Sequence, residues 1–197
     1  MTKQYAPACE RNQDPILEIL REVLPAEGLV LEIGCGTGQH AVYFSAKLPH
    51  LDWQPVDRPN TLESARAWVE EARQPNLCEP RAFDLFDPCA PIARAQAIVS
   101  INVIHIAALE AAERLFFHAA TILDVGGVVY LYGPFRYADR PLEPSNESFD
   151  AWLSARDPAS GVRDFEAIDA VATSHGFALG GDVAMPANNR SIWWHKR

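Results

Sequence analysis

Residues 31–38 read Leu31-Glu32-Ile33-Gly34-Cys35-Gly36-Thr37-Gly38. Three glycines alternate with other residues directly after a short apolar run from Gly28 to Ile33, and a segment with helical spacing of apolar residues follows them. Glycines between a strand and a helix let the backbone approach a ligand without interference from Cβ atoms. The sequence therefore predicts a strand, a ligand-binding glycine loop and a helix, in that order.

The spacing of these glycines separates the loop from two other nucleotide-binding loops. A dinucleotide-binding loop has the spacing G-x-G-x-x-G, but counting from Gly34 puts Gln39 at the last position. The phosphate-binding pattern G-x-x-x-x-G-K does not occur here either. The spacing disfavours a nicotinamide enzyme, which we keep as an alternative.

Two aspartates end the strands that are predicted next. Asp57 ends a strand that begins at Asp52 and stands 19 residues after Gly38, where its carboxylate can accept both hydroxyl hydrogens of a ribose. Asp84 ends a short strand from Arg81 and could meet the amino group of an adenine. Alone, Asp57 would be interpreted as a turn residue before a proline, but the ordered series of loop, Asp57 and Asp84 predicts a nucleoside ligand.

The rest of the chain alternates predicted helices and strands. A first helix is expected at 15–24, with Asp14 as its N-cap and Pro15 as its first residue. Gly126 and Gly127 are expected to close a helix that begins at Leu109. Alternation of this kind predicts one α/β domain over residues 1–197, with a doubly wound, mostly parallel sheet. Further helices are expected at 62–72 and 164–175, and further strands at 95–103, 128–132, 177–185 and 191–196.

The periodicity fails between Gly133 and Arg163, where prolines interrupt a polar and aromatic stretch. A structureless segment of this length inside a compact domain is either a functional lid or a misread element. We expect residues 133–163 to form a lid insertion.

Composition excludes several classes of partner. The 197 residues carry 26 acidic and 17 basic side chains and a formal charge of −9, which disfavours nucleic acid and anionic membranes. Four cysteines stand far apart, without metal-binding spacing, and no apolar run is long enough to span a bilayer. We expect a cytoplasmic protein with free thiols, no metal, and a small-molecule partner; its oligomeric state stays open.

The glycine loop resembles the first motif of the class I S-adenosylmethionine-dependent methyltransferases. That motif, E/D-x-G-x-G-x-G, matches Glu32, Gly34, Gly36 and Gly38 without a gap. The resemblance runs from about Val30 to the C-terminus. It implies a Rossmann-like methyltransferase fold, a seven-stranded sheet with an antiparallel terminal strand.

The same resemblance implies the cofactor and the residues that hold it. S-adenosylmethionine would bind with its ribose on Asp57 and its adenine framed by Asp84 and Leu85. Asn102, after the fourth strand, would lie beside the methionine moiety. The Arg11-Asn12 segment could close over the same pocket, which would bring Arg11 to the cofactor.

The whole chain also resembles a small, uncharacterised methyltransferase-like family found in bacteria and eukaryotes. This resemblance implies a methyltransferase and leaves its methyl acceptor unnamed. The matching segments are Arg11 to Leu17, Gly38 to Ala41, Trp53 to Pro55, Tyr132 to Pro134, Ser145-Asn146, Gly161 to Asp164 and Met185 to Asn189.

Two residues are candidates for the chemistry. Ligands of parallel sheets bind beyond the carboxyl ends of the strands, so the segments after the fourth and fifth strands should face the transferable methyl. His105 is the leading candidate for a base, although a histidine here could also cap a helix or fill the core. Tyr132 is a weaker candidate. The absence of an N/D-P-P-Y/F sequence after Asn102 argues against methylation of nucleobase amino groups.

Five more residues are candidates for binding the acceptor. Tyr137 and Asp150 lie in the expected lid and could simply hold it shut. Arg163 could bind an acceptor carboxylate or pair with Asp164 or Asp157 on the surface. Asn188 and Asn189 could contact the acceptor or be ordinary turn residues.

These observations predict transfer of a methyl group from S-adenosylmethionine to a small molecule. A catalytically inactive cofactor-binding protein that acts through partner contacts is the alternative.

Overall fold

The computed structural model describes residues 3–108 and 110–197. Leu109, the predicted first residue of one helix, lies outside the described residues. In the described part of the chain, no helix combines the length and the apolar character that crossing a membrane requires. The helices are α1 (Pro7–Val23), α2 (Gln39–Lys47), α3 (Leu62–Ala72), α4 (Glu110–Ile122), α5 (Pro144–Arg156) and α6 (Phe165–Ser174). The strands are β1 (Gly28–Ile33), β2 (Leu51–Asp57), β3 (Arg81–Ala82), β4 (Ala95–Ile101), β5 (Leu123–Gly133), β6 (Phe135–Arg136), β7 (Arg163–Asp164), β8 (Phe177–Met185) and β9 (Asn189–Lys196).

Seven strands form one sheet in the order β3-β2-β1-β4-β5-β9-β8. The pairs among β1, β2, β3, β4 and β5 are parallel, and β9 runs antiparallel to both of its neighbours. This confirms the predicted seven-stranded, mostly parallel sheet with an antiparallel last strand. The strand order reverses between β1 and β4, so a crevice is expected beyond the carboxyl ends of these two strands. We call this the sheet edge.

Helices cover both faces of the sheet, and β5 shows how its residues divide between them. Val129 and Leu131 pack in the cluster that includes Phe116 of α4. Tyr130 and Tyr132 pack in the opposite cluster, with residues of α1 and α2. The alternation of side chains along a strand therefore places Tyr132 under α1 and α2, at the carboxyl end of β5.

Helix α1 begins at Pro7 rather than at Pro15, so the predicted start was wrong. Pro15 lies inside the helix, where it lacks the N–H that would bond to the carbonyl four residues earlier. The buried face continues past this position, because Asn12 and Ile16, four residues apart on the helix, are both buried. Asp14 is not a cap; it accepts a hydrogen bond from the Tyr43 hydroxyl.

Gly126 and Gly127 do not close α4, which corrects a second expectation. Helix α4 ends at Ile122 and β5 begins at the next residue. Pairing with β4 jumps from Leu123 to Val128, so the glycines occupy a bulge at the start of β5. Gly126 has a φ of 86°, a conformation that glycine adopts without strain.

Residues 133–163 are not structureless. They contain α5 and the short strand β6, which pairs with β7. The sequence pattern did not predict helix α5, because its buried residues are only Asn146 and Leu153, too few to give an apolar stripe.

Candidate functional site

The glycine loop lies at the sheet edge, between β1 and α2. Gly34, Gly36 and Gly38 have φ values of 77°, 53° and 91°. A Cβ at Gly34 would lie 2.3 Å from Val103 Cγ2, and one at Gly38 would lie 2.7 Å from Ala65 Cα. A Cβ at Gly36 would meet nothing within 4 Å. Packing thus requires the outer two glycines, whereas open space over Gly36 leaves room for a ligand to approach the backbone.

Asp57 is hydrogen-bonded to this loop. The backbone N–H of Gly36 donates to Oδ2 at 2.7 Å, and that of Arg58 donates to Oδ1 at 2.7 Å. Each carboxylate oxygen can accept one more hydrogen. The Asp57 side chain is therefore fixed in place and can still accept two hydroxyl hydrogens of a ribose.

Asp84 and Leu85 form a turn after β3. Asp84 Oδ1 accepts a hydrogen bond from the Phe86 N–H at 3.0 Å, and the Asp84 N–H donates to Asp87 Oδ2 at 3.0 Å. The Leu85 side chain is buried, and its carbonyl accepts a hydrogen bond from His118 Nε2 at 2.9 Å. The turn leaves Asp84 Oδ2 without a partner in the described part of the chain, so this oxygen is available to a ligand.

Glu32 is a buried carboxyl group at the end of β1. It is 2% exposed, and it accepts a hydrogen bond from Trp53 Nε1 at 2.7 Å. Burial raises the pKa of Glu32 to about 7; the Trp53 hydrogen bond opposes this rise and the Asp57 charge adds to it. Since a nearby positive charge favours the ionised form, this carboxyl suits a cationic ligand.

Arg11 and Asn12 are neighbours on α1, but Arg11 is exposed to solvent and Asn12 is buried. Arg11 is exposed and has no side-chain hydrogen bond or ion pair among residues 3–108 and 110–197, so its cofactor contact stays a prediction. Asn12 is buried, and its Oδ1 lies 2.8 Å from His40 Nε2 of α2. The sequence pointed to the Arg11-Asn12 segment but did not predict the contact between Asn12 and His40; the spacing of Asn12 from Ile16 is the signal that places Asn12 on the buried face of α1.

His105 lies on the turn after β4 and is 2% exposed. Its ring meets Phe149 of α5 edge-on, with 5.5 Å between centroids, and a Cβ at Gly133 would lie 3.0 Å from Nδ1. Burial, together with the smaller effect of the Arg163 charge, lowers the pKa of His105 to about 4. Nδ1 is the one buried side-chain polar atom without a hydrogen-bond partner among the described residues. A neutral imidazole with an unpaired nitrogen can hydrogen-bond to a ligand or take its proton.

Arg163 holds the turn that carries His105. The predicted surface pairs with Asp164 or Asp157 are not among the ion pairs of the described residues, and that expectation was wrong. The Arg163 guanidinium instead forms hydrogen bonds with backbone carbonyls that surround it. It donates to the carbonyls of Ile104 at 3.0 Å, Ala107 at 2.6 Å and Ala159 at 2.6 Å.

Asp150, on α5, forms a hydrogen bond with the segment that directly precedes Arg163. It accepts a hydrogen bond from the Val162 N–H at 2.7 Å and forms an ion pair with Arg136 at 2.9 Å. Next to Val162, the Gly161 N–H donates to the His105 carbonyl at 2.9 Å. These bonds give Asp150 a role in positioning the backbone behind His105, and its contact with an acceptor stays a prediction.

Tyr132 and Asn102 lie side by side at the ends of β5 and β4. The Asn102 N–H donates to the Tyr132 carbonyl at 2.8 Å, and Asn102 has a φ of 59°. The Tyr132 side chain is buried. Tyr137 contacts a different group of residues: its hydroxyl donates to Asp182 of β8 at 2.7 Å and its ring stacks on Phe165.

The turn between β8 and β9 docks on the first turn of α5. Asn188 Nδ2 donates to Ser145 Oγ at 2.9 Å, and Asn146 Nδ2 donates to the Asn188 carbonyl at 2.9 Å. Asn189 Nδ2 donates to the carbonyl of Pro186 at 3.1 Å. The expected lid and the asparagine turn thus meet, and Asn188, with a φ of 58°, adopts the left-handed conformation expected of a turn asparagine.

The described residues contain no group of three or more histidine, cysteine, aspartate or glutamate side chains that could hold a metal ion.

Solved structures with this fold include several methyltransferases. An O-methyltransferase family protein from Burkholderia thailandensis has a TM-score of 0.80 and 18% identity, over 96% of this chain and 57% of that one. Human N-acetylserotonin methyltransferase in complex with SAM has a TM-score of 0.78 and 18% identity, over 96% and 52%. An O-methyltransferase family 2 protein from Planctomyces limnophilus in complex with apigenin has a TM-score of 0.78 and 20% identity, over 96% and 60%.

These similarities show a shared fold, and this chain spans between 52% and 60% of the length of those three proteins. A family model described as "Protein of unknown function (DUF938)" matches residues 3–196. Because that match takes in nearly all of the 197 residues, the chain belongs to this family.

Proposed function

We propose that the protein transfers a methyl group from S-adenosylmethionine to an oxygen atom of a small hydroxyl compound. The observation that carries the proposal is the unpaired, buried Nδ1 of His105, on the turn after β4, at the same sheet edge as the Asp57 carboxylate that is bonded to Gly36. The shared fold with O-methyltransferases supports the choice of an oxygen acceptor.

The residues at the loop fit the cofactor. Open space over Gly36 admits a ligand, Asp57 can accept the ribose hydroxyls, and Asp84 with Leu85 would frame the adenine. Glu32 would be ionised by a cationic cofactor, because its pKa in the free protein is about 7. Asn102 and Arg11 would complete the methionine side of the site. When bound, S-adenosylmethionine supplies an electrophilic methyl group on a sulfonium.

His105 acts as the proton acceptor. The hydroxyl of the acceptor would donate a hydrogen bond to Nδ1, so that His105 would orient the acceptor oxygen and take its proton during methyl transfer. Bond formation makes this oxygen strongly acidic, so a base with a pKa of about 4 is strong enough to take the proton late in the reaction. His105 would then hold this proton, and with it a positive charge.

The experiment measures two quantities on the whole chain. Calorimetry with S-adenosylhomocysteine should show micromolar binding, and a panel of small hydroxyl compounds should be screened for release of S-adenosylhomocysteine from S-adenosylmethionine. His105→Ala should lower turnover about a hundredfold with little change in cofactor affinity. His195→Ala, at an exposed position of β9, is the matched control and should keep full activity.

Binding of S-adenosylhomocysteine without turnover of any hydroxyl compound would favour the inactive cofactor-binding protein. Absence of binding would remove the cofactor assignment altogether.

A further inference from the structure

Two side chains of α4 hold the turn that follows β3. Arg114 and His118 stand four residues apart, on one face of the helix, and His118 is 1% exposed. His118 Nε2 lies 2.9 Å from the Leu85 carbonyl oxygen, and Arg114 Nε donates to the same oxygen at 3.2 Å. Arg114 Nη2 donates to the Asp87 carbonyl at 2.7 Å. Helix α4 is therefore hydrogen-bonded to the turn at both Leu85 and Asp87.

The direction of the His118 hydrogen bond follows from the groups involved. A carbonyl oxygen can only accept, so Nε2 carries the hydrogen and donates it to Leu85. The rings of Phe83 and His118 meet edge-on, with 5.1 Å between centroids, and this contact helps to fix the orientation of the imidazole. Burial lowers the pKa of His118, so the ring is neutral at pH 7.

These bonds decide which oxygen of the turn is left for a ligand. A carbonyl oxygen has two lone pairs, and α4 occupies both of those on Leu85. Asp84 Oδ1 accepts a hydrogen bond from the Phe86 N–H, and the Asp84 carbonyl accepts one from the Asp87 N–H. Of the oxygens of Asp84 and Leu85, only Asp84 Oδ2 lacks a partner in the described part of the chain.

The turn is also joined to the strand that ends at Asp57. Ala82 pairs with Asp57 in the sheet, and the Phe83 N–H donates to the Asp57 carbonyl at 2.8 Å. Asp84 is the next residue, so the carboxylates of Asp57 and Asp84 follow neighbouring parallel strands at the same edge of the sheet. This neighbourhood suits the two halves of one nucleoside, with the ribose on Asp57 and the base on Asp84.

We propose that His118 and Arg114 are positioning residues, which set the turn so that Asp84 Oδ2 accepts a hydrogen from the amino group of the adenine. This proposal rests on the proposed function. An amino group donates to a carboxylate, whereas the carbonyl oxygen of a 6-oxopurine cannot, so the turn selects adenine over hypoxanthine. The occupied Leu85 carbonyl offers the amino group no substitute acceptor, which makes the selection depend on where Asp84 is held.

Calorimetry with two related ligands tests the selection on the whole chain. S-inosylhomocysteine carries a carbonyl oxygen on the purine ring in place of the amino group of S-adenosylhomocysteine. The parent should prefer the adenosine compound by about tenfold to a hundredfold, as expected of a hydrogen bond to a charged acceptor. His118→Leu and Arg114→Met should each lower this preference about fivefold, through weaker binding of the adenosine compound.

Further variants separate positioning from general damage to the fold. His118→Gln keeps an N–H donor and should keep the parental preference. Arg156→Met, at an exposed position of α5, controls for the loss of a positive charge. Asp84→Ala should abolish the preference, and adding His118→Leu to it should change the preference no further. An unchanged preference in folded His118→Leu or Arg114→Met overturns the positioning role of that residue.

Exchange of the Phe86 N–H with water tests the positioning without a ligand. This N–H is bonded to Asp84 Oδ1, so it becomes accessible to water when the turn loses its shape. Its exchange rate, measured by NMR at pH 7, should rise about tenfold in His118→Leu and in Arg114→Met, and stay within about twofold of the parent in His118→Gln. Parental exchange rates in His118→Leu and Arg114→Met overturn the positioning.

Failure of this proposal can be told apart from failure of the proposed function. If the parent binds neither compound, the cofactor assignment fails and the selection of adenine fails with it. If the parent binds both compounds equally, the selection fails while the cofactor assignment stands. The exchange experiment decides in both cases whether α4 positions the turn.

Discussion

Residues 31–57, the loop side of the sheet edge, and residues 133–189, the lid side, are built by different kinds of contact. On the loop side, short pieces of strand and glycine loop lie close in sequence, and the hydrogen bond between Gly36 and Asp57 joins residues that are 21 positions apart. On the lid side, Arg163 bonds to Ile104 and Asn146 bonds to Asn188, across far greater separations. The loop side can therefore be recognised from local pattern, whereas the lid side depends on the complete fold.

The largest effect is expected on the loop side, at Glu32. Its pKa is about 7 in the folded protein against 4.5 for the free side chain, so the folded state binds the proton more tightly. Stability should fall as pH rises from about 4.5 to about 7, by about 3 kcal/mol, and stay low above that range. Glu32→Gln should lack this fall and still accept the Trp53 hydrogen bond.

Urea unfolding of the parent and of Glu32→Gln at pH 5 and pH 8 makes the measurement. The same change in unfolding free energy between pH 5 and pH 8 in both proteins would show that the buried Glu32 carboxyl does not lower the stability of the fold.

A slightly smaller effect is expected at Asp57, on binding rather than stability. Asp57→Ala removes a charged acceptor from two ribose hydroxyls and should weaken S-adenosylhomocysteine binding by about tenfold to a hundredfold, equivalent to about 1.5–3 kcal/mol. Asp52→Ala, at an exposed position of the same strand, is the control and should bind like the parent. If calorimetry gives Asp57→Ala and the parent the same affinity for S-adenosylhomocysteine, Asp57 only supports the loop through its hydrogen bond with Gly36.

The third effect belongs to the lid side and separates it from the loop side. Arg163→Met keeps the aliphatic stem but leaves three carbonyls without their donor, which should cost about 2 kcal/mol and about 4–8 °C in Tm. Affinity for S-adenosylhomocysteine should not change. Arg156→Met, at an exposed position in α5, controls for loss of charge. Weaker cofactor binding in Arg163→Met alone would mean that the two sides are coupled.

The same contrast explains which elements the sequence could predict. The bounds of β1 and α3 are those predicted, because a short apolar run before glycines and a regular stripe from Leu62 to Ala72 are local signals. Helix α5 was missed because it buries few residues, and the beginning of α1 was misplaced because Pro15 looks like a start signal. Asn12 and His40 could not be paired from the sequence, since their contact requires α1 and α2 to be packed together.

The smallest effect on stability is expected at the turn between β8 and β9, where the lid side meets Tyr132. The double variant Asn188→Gly and Asn189→Ala removes both amides, and glycine avoids strain at the φ of 58° that Asn188 adopts. Loss of the Ser145 contact, which is exposed, should cost at most about 1 kcal/mol. Cofactor affinity should stay at the parental value, because none of the ribose or adenine contacts proposed above comes from this turn.

Methyl transfer should nevertheless fall, through lost orientation of the acceptor, by as much as a hundredfold if the misplacement approaches about 1 Å. Calorimetry with S-adenosylhomocysteine and turnover of the hydroxyl compound, measured on the same preparation, separate the two quantities. Parental turnover in the folded double variant would leave Asn188 and Asn189 as turn residues only, and would confine recognition of the acceptor to residues nearer His105.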